Sequence, residues 1–215
     1  MPRIDDYKQA VALGAEELLK KNPKRLADQS KGEFIQEGEG VGIQIRFLNR
    51  PVLVWWPEIR ILDKEKGEEL PLQQQILILH YLNGLKQIMP EGQWLSFQEI
   101  PDGRFYMDAF VRRAKEPLVR TFGNDPGDLI LLAKAMFGAV EADKGDASVI
   151  VEALPHIPVM LIIWKGDEEF PPDGSILFDS TIKELLSAED IAWLAGMVVY
   201  PLVGAKKAKK ENKNA

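Results

Sequence analysis

Apolar and polar positions alternate most regularly between residues 41 and 47. Val41, Ile43, Ile45 and Phe47 fall on one face, Gln44 and Arg46 on the other. A period of two is that of a half-buried strand. Phe34-Ile35 predicts a short strand before it, broken at Gly38-Glu39-Gly40, and residues 52–56, apolar on both faces, predict a central one. Residues 59–62 add a fourth, closed by the charged turn 63–69. Turn residues separate these runs, so the pattern over 33–62 is that of an antiparallel meander.

Elsewhere the period lengthens to that of a helix. Tyr7, Val11, Ala15, Leu18 and Leu19 make one stripe along residues 5–21, ended by Asn22-Pro23. Pro71 suits the first position of a helix carrying Leu72, Ile76, Leu79, Tyr81, Leu82 and Leu85. Residues 94–99 fit either a strand or a short turn capped by Ser96 and Glu99. Pro101-Asp102-Gly103 is a turn into a helix with Phe105, Tyr106, Phe110 and Val111, broken or restarted at Pro117 and finished at Gly123. Asp125-Pro126 opens another, through Leu129, Leu132, Ala133 and Met136 to Gly138.

Val149 and Val151, then residues 159–164, predict a hairpin across Pro155-His156, spanning 148–164. Thr181-x-x-Glu184 and Ser187-x-x-Asp190 match the capping box, and Ile191, Leu194, Val198 and Tyr200 form a last helix that Pro201 and Gly204 close. Two groups of strands separated by helices predict an α+β fold, mainly antiparallel sheet with helices packed against it. No linker-like stretch divides the chain, so a single domain is expected over 1–204, followed by a disordered lysine-rich tail over 205–215.

Composition narrows the function classes. The 215 residues are 46% hydrophobic and 28% charged, ordinary for a globular chain. No uninterrupted apolar run is long enough to span a bilayer, and the start of the chain lacks an apolar leader, so a cytoplasmic protein without a membrane partner is expected. The absence of cysteine excludes disulfides, thiolate metal sites and cysteine nucleophiles. The net charge is −6, yet the last ten residues carry five lysines against Glu211, which leaves an acidic body and argues against a nucleic-acid surface. Arg112, Arg113, Lys115 and Arg120 are the basic concentration in that body and read as a solvated helix face.

Candidate chemistry gathers around Trp164-Lys165-Gly166-Asp167-Glu168-Glu169-Phe170-Pro171-Pro172. Three consecutive acids follow an apolar strand, and Asp179 ends the next apolar triplet. Asp167, Glu169 and Asp179 could supply hard oxygen ligands for a divalent cation, or a carboxylate pair for acid–base work. Gly166-Asp167 equally makes a turn, and Asp179 equally suits a helix cap. Trp164 could stack on a flat ligand, and His156, between two prolines, could serve as a base or axial ligand. Phosphate loop, dinucleotide fingerprint, nucleophile elbow and hydrolase triad are all missing.

The residues His80-Tyr81-Leu82, Gly92-x-Trp94-x-x-Phe97-x-x-Ile100-Pro101-x-Gly103-x-x-Tyr106, Gly145-Asp146-Ala147, Leu154-Pro155 and the run Trp164 to Pro172 with Ile176 to Ser180 resemble a bacterial and archaeal family, domain of unknown function 3786. The resemblance covers nearly the whole chain before the tail and brings no activity with it. It implies a setting in anaerobes that use corrinoid methyl-transfer proteins. Some relatives carry an added cysteine-rich iron–sulfur segment, for which this chain has no ligands.

The resulting expectation is a binding module. A small molecule, a cofactor of unknown identity or a partner protein would sit at the 164–179 loop against Trp164, Asp167, Glu168, Glu169, Phe170 and Asp179, with His156 as a further candidate. The alternatives are a divalent-cation enzyme using Asp167, Glu169 and Asp179, and a structural subunit of a complex.

Overall fold

The computed structural model describes residues 3–213, with the side chain of residue 213 outside that description. Its contacts divide the chain into two compact units. One takes the chain up to Met89 together with Leu154–His156 and Glu184–Leu186, and the other takes Pro90–Ala153, Ile157–Lys183 and the chain from Ser187 onward. The chain passes between them in short segments rather than through a linker, which is why the sequence alone suggests one domain.

The first unit holds the expected meander. β1 (Glu33–Glu37), β2 (Gly40–Phe47), β3 (Arg50–Trp56) and β4 (Arg60–Asp63) form an antiparallel sheet in chain order. The β2–β3 turn is the two residues Leu48 and Asn49, with φ of 49° and 62°. Positive φ at both turn positions gives the twist that two-residue hairpins favour. Ile43, Ile45, Phe47, Val52, Val54 and Ile61 are at most 1% exposed and make the buried face. α1 (Ile4–Leu18) packs on α3 (Leu72–Gly84), while α2 (Pro23–Gln29) lies on β1 and β2. Gly14 sits where a Cβ would lie 3.1 Å from that of Leu79, so the helices meet closely there. The Asn83 amide donates to the Gly14 carbonyl at 2.9 Å.

The second unit is built on a five-stranded sheet in the order β5 (Trp94–Ser96), β9 (Asp173–Asp179), β8 (Ile157–Trp164), β7 (Ala147–Leu154), β6 (Val140–Ala142). β7 and β8 are joined through Pro155 and His156, as the sequence predicts. β9 and β6 are additions, because the sequence gives Ile176-Leu177-Phe178 only as an apolar triplet and marks nothing at 140–142. Residues 94–99 are both of the structures left open by the sequence. β5 passes into a 3-10 turn over Phe97–Glu99, with the Ser96 amide and hydroxyl donating to the Glu99 carboxylate at 2.8 and 2.7 Å.

α4 (Gly103–Phe110) and α5 (Glu116–Phe122) run together through a π-helical turn over Val111–Lys115. Pro117 has no N–H to donate, and its ring crowds the carbonyl four residues back. The widened turn just before it absorbs both defects, so the helix is carried past Pro117 instead of restarting. α6 (Gly127–Phe137) ends at Gly138, whose φ of 62° closes it.

The end of the chain differs most from expectation. α7 (Ala188–Lys213) continues through Pro201 and Gly204, so residues 205–213 are helical and not a disordered tail. Tertiary ion pairs explain it. The Lys206 side chain is 4% exposed and its ammonium pairs with Asp125 at 2.9 Å and with Asp128, while Lys209 pairs with Asp128 at 2.6 Å. Asp128 is held below the usual carboxylate range first by the Lys206 hydrogen bond and then by that from Lys209. By length and composition α7 could cross a membrane, but 56% of its most apolar stretch is buried, and it packs against α4, the π turn, α5 and α6. Its start is the expected capping box, with Ser187 and Asp190 exchanging hydrogen bonds at 3.3 and 3.2 Å.

Candidate functional site

The β8–β9 connection, residues 165–172, is a closed turn. The Asp167 amide donates to the Phe170 carbonyl at 2.9 Å, and the Asp167 carboxylate accepts the amides of Glu169 and Phe170 at 2.8 and 2.7 Å. Those amide bonds, Phe170 first, hold its carboxyl below the ordinary aspartate range. Gly166 is required here, because a Cβ would lie 2.6 Å from Pro172 Cδ. Asp146 ties the loop's other end, accepting the Lys165 amide at 2.7 Å and donating its own amide to the Ile163 carbonyl at 2.9 Å. Glu168, Glu169 and Phe170 remain exposed, and Trp164 is 41% exposed at the end of β8.

Asp179 is not part of that loop. β9 runs from Asp173 beside the loop to Asp179, six residues on, or about 20 Å at strand rise. The Asp179 carboxylate is 1% exposed and fully engaged. It accepts the amides of Glu91 at 3.2 Å and Gly92 at 2.7 Å, and the amide and hydroxyl of Thr181 at 3.1 and 2.7 Å. Burial by itself raises its pKa; the Thr181 hydroxyl and amide, with the Glu91 and Gly92 amides, outweigh that and hold it below the ordinary value. Thr181 therefore serves Asp179, and the capping box expected between Thr181 and Glu184 gives way to an aspartate cap. Ser180 extends the clamp, donating its hydroxyl to Glu91 at 2.8 Å and its amide to the Gln93 carbonyl at 2.7 Å.

His156 is elsewhere again. It is the residue before β8, whereas Trp164 is the last residue of that strand, so the two occupy opposite ends. It is 5% exposed with φ of 63°, following Pro155 in the residue order of a type II turn. The Tyr81 hydroxyl donates to the Pro155 carbonyl at 3.0 Å. The other histidine, His80, is exposed on α3.

The carboxylates Asp167, Glu169 and Asp179 are thus not assembled: one closes a turn, one faces solvent and one is a buried cap. Among the described residues, no three His, Asp or Glu side chains are grouped to hold a metal ion.

Beside the β8–β9 loop lies a feature that the sequence conceals. A cleft of about 500 Å³ is lined by Val111, Lys115, Glu116, Val119, Arg120 and Asp173. Val111 and Val119 supply its apolar side chains. Lys115, from the π turn, pairs with Asp173 at the first residue of β9, 3.1 Å apart. Burial of Asp173 opposes its ionisation, and the Gly174 amide and Lys115 together overcome that, leaving the carboxyl below its usual value. Arg120 is exposed at the rim, and its guanidinium makes no ion pair among the described residues.

Glycines let the loop close on this helix. A Cβ on Gly123 would lie 2.5 Å from that of Pro172, and one on Gly174 would lie 2.9 Å from a Val119 methyl. Lys115 and Arg120, which read in the sequence as a solvated face, border the cleft together with Asp173. The available signal was Pro117, since a proline inside a helical pattern marks a local irregularity, and a π turn, one form it takes, is frequent at functional sites.

The two antiparallel sheets and their helices define an α+β protein. A family model described as domain of unknown function 3786 matches residues 22–200, and the chain belongs to that family. No curated protein and no solved structure matches it.

Proposed function

We propose that the chain is a binding module for a small amphipathic molecule, held in the cleft between the π turn, α5 and the start of β9. The observation that carries this reading is the cleft itself, where Val111 and Val119 supply apolar lining beside the Lys115–Asp173 pair, Glu116 and the unpaired cation Arg120. Small-molecule sites have this composition, a mostly apolar concavity with few polar groups to fix orientation, in a size range of roughly 300–1,000 Å³. The occupant is smaller than a complete tetrapyrrole and carries an anionic group opposite Arg120. The closed β8–β9 loop leads directly into Asp173, the β9 residue that lines the cleft.

An aryl sulfonate such as anilinonaphthalene sulfonate mimics that ligand class, and its fluorescence reports entry into an apolar site. Saturable binding to the folded chain is expected, weakened by Arg120→Glu and blocked by Val111→Trp, which fills the cleft from a half-buried position. Unchanged binding in both variants would overturn the reading. A divalent-cation enzyme is not favoured by any observation at this site.

A further inference from the structure

The first unit carries a second, chemically different concavity. Two adjoining cavities, of about 430 and 390 Å³, share the side chains of Arg25 and Gln29 as walls. Lys20 and Lys21 line the first, and Lys31 and Gln87 the second. Four cations therefore border one double cavity in a chain whose net charge is −6, with Asp28 as the one acid among the lining residues. Lys24 adds a further exposed positive charge on α2.

Most of these charges are uncompensated. Lys20, Lys24, Arg25 and Lys31 have no carboxylate partner among the described residues. Elsewhere the chain pairs Arg50 with Asp63, Arg60 with Glu69, Lys86 with Glu184 and Lys134 with Glu141. Like charges gathered this way repel one another and weaken the fold slightly. Folding alone gives no reason to collect them at a concavity.

Lys21 is also fixed in place. Its ammonium donates to the carbonyls of Leu82, at 3.5 Å, and Asn83 at the end of α3. That anchors it in the wall with a donor left over, since an ammonium has three. The Arg25 guanidinium stands between the cavities with its fork unused. The Gln29 and Gln87 side chains add neutral amide donors.

We propose that this double cavity binds a small molecule bearing a diphosphate, one phosphate in each cavity and Arg25 bridging the two. A diphosphate fits the pattern better than a lone carboxylate. It offers many acceptor oxygens and at least two negative charges, which match a bidentate guanidinium flanked by point-charge lysines and amides.

The test uses inorganic pyrophosphate on the full chain, by calorimetric titration at low ionic strength, with orthophosphate, citrate and a short single-stranded RNA as comparison arms. One saturable site is expected, tighter for pyrophosphate than for orthophosphate or citrate, and weakening as salt is added. Arg25→Glu and Lys31→Glu, both at exposed positions, should each weaken it about tenfold or more. Arg112→Glu, equally exposed in the second unit, should leave it unchanged. If Arg25→Glu does not fold, Arg25→Gln removes the same fork without reversing charge. No saturable binding, an equal loss in Arg112→Glu, or RNA binding that displaces pyrophosphate with higher affinity would each overturn the proposal.

Discussion

Replacing Asp179 by alanine separates a structural aspartate from a functional one. The substitution removes the acceptor of four hydrogen bonds, two of them from buried Thr181 and two from the partly buried amides of Glu91 and Gly92. Water can reach the latter pair, so most of the loss falls on Thr181. Hydrogen bonds to a charged group contribute roughly 1.5–3 kcal/mol each, and a stranded buried donor costs about 1–3 kcal/mol. The substitution should therefore cost about 3–5 kcal/mol in all. Against a total stability of roughly 5–15 kcal/mol, that is a large fraction.

At a chain length near 200 residues the loss lowers the melting temperature by about 6–20 °C. Asp179→Asn keeps a neutral acceptor and should recover about half. Urea unfolding followed by tryptophan fluorescence measures the total, and hydrogen exchange at the Gly92 and Thr181 amides localises it. An Asp179→Ala chain within about 1 kcal/mol of wild type, with both amides still protected, would refute the clamp.

The same clamp has a pH signature. Because the folded pKa of Asp179 lies below its unfolded value, its contribution is present above pH ~4 and is lost as pH falls through the folded pKa. Wild type should thus lose more stability than Asp179→Asn on acidification below pH ~4, read by urea midpoints. Lys206→Met should destabilise the second unit by about 2–3 kcal/mol, since the buried ammonium is the shared partner of Asp125 and Asp128, and exchange protection should fall first along residues 205–213. Gly123→Ala forces a methyl into Pro172, which must move; a cost of about 1–3 kcal/mol is expected, together with weaker aryl sulfonate binding in the neighbouring cleft.

Parts of this fold were legible because local chemistry and tertiary structure agreed. The alternation from Val41 to Phe47 is the register of β2 against β3, and the Ser187–Asp190 cap is formed as written. Other parts depended on distant partners. β9 escaped because Gly174, Ile176 and Phe178 are buried in alternation only once β5 and β8 flank them. Pro201 suggested a helix end, and only Asp125 and Asp128, about 80 positions away in sequence, show why α7 continues.

The acidic run was visible for a related reason. Gly92, Gly145-Asp146, Gly166-Asp167 and Asp179 are among the residues that carry the resemblance in the sequence, and each meets a backbone demand. Gly92 and Gly145 have φ of 73° and 59°; Asp146, Asp167 and Asp179 accept otherwise unsatisfied amides. Turns and caps mark a sequence as strongly as catalysis does. The cleft, in contrast, joins Lys115 to Asp173 across 58 positions of sequence, with nothing local to announce it.

In this account Asp167 and Asp179 hold the fold, and the cleft lined by Val111, Val119 and Arg120 is what holds a ligand. Native mass spectrometry of the chain purified from its own cells, wild type beside Val111→Trp, tests this most directly. A small-molecule adduct on wild type that is missing from Val111→Trp is the expected result. A bare wild-type chain, a divalent metal as the adduct, or an adduct retained in full by Val111→Trp would contradict it.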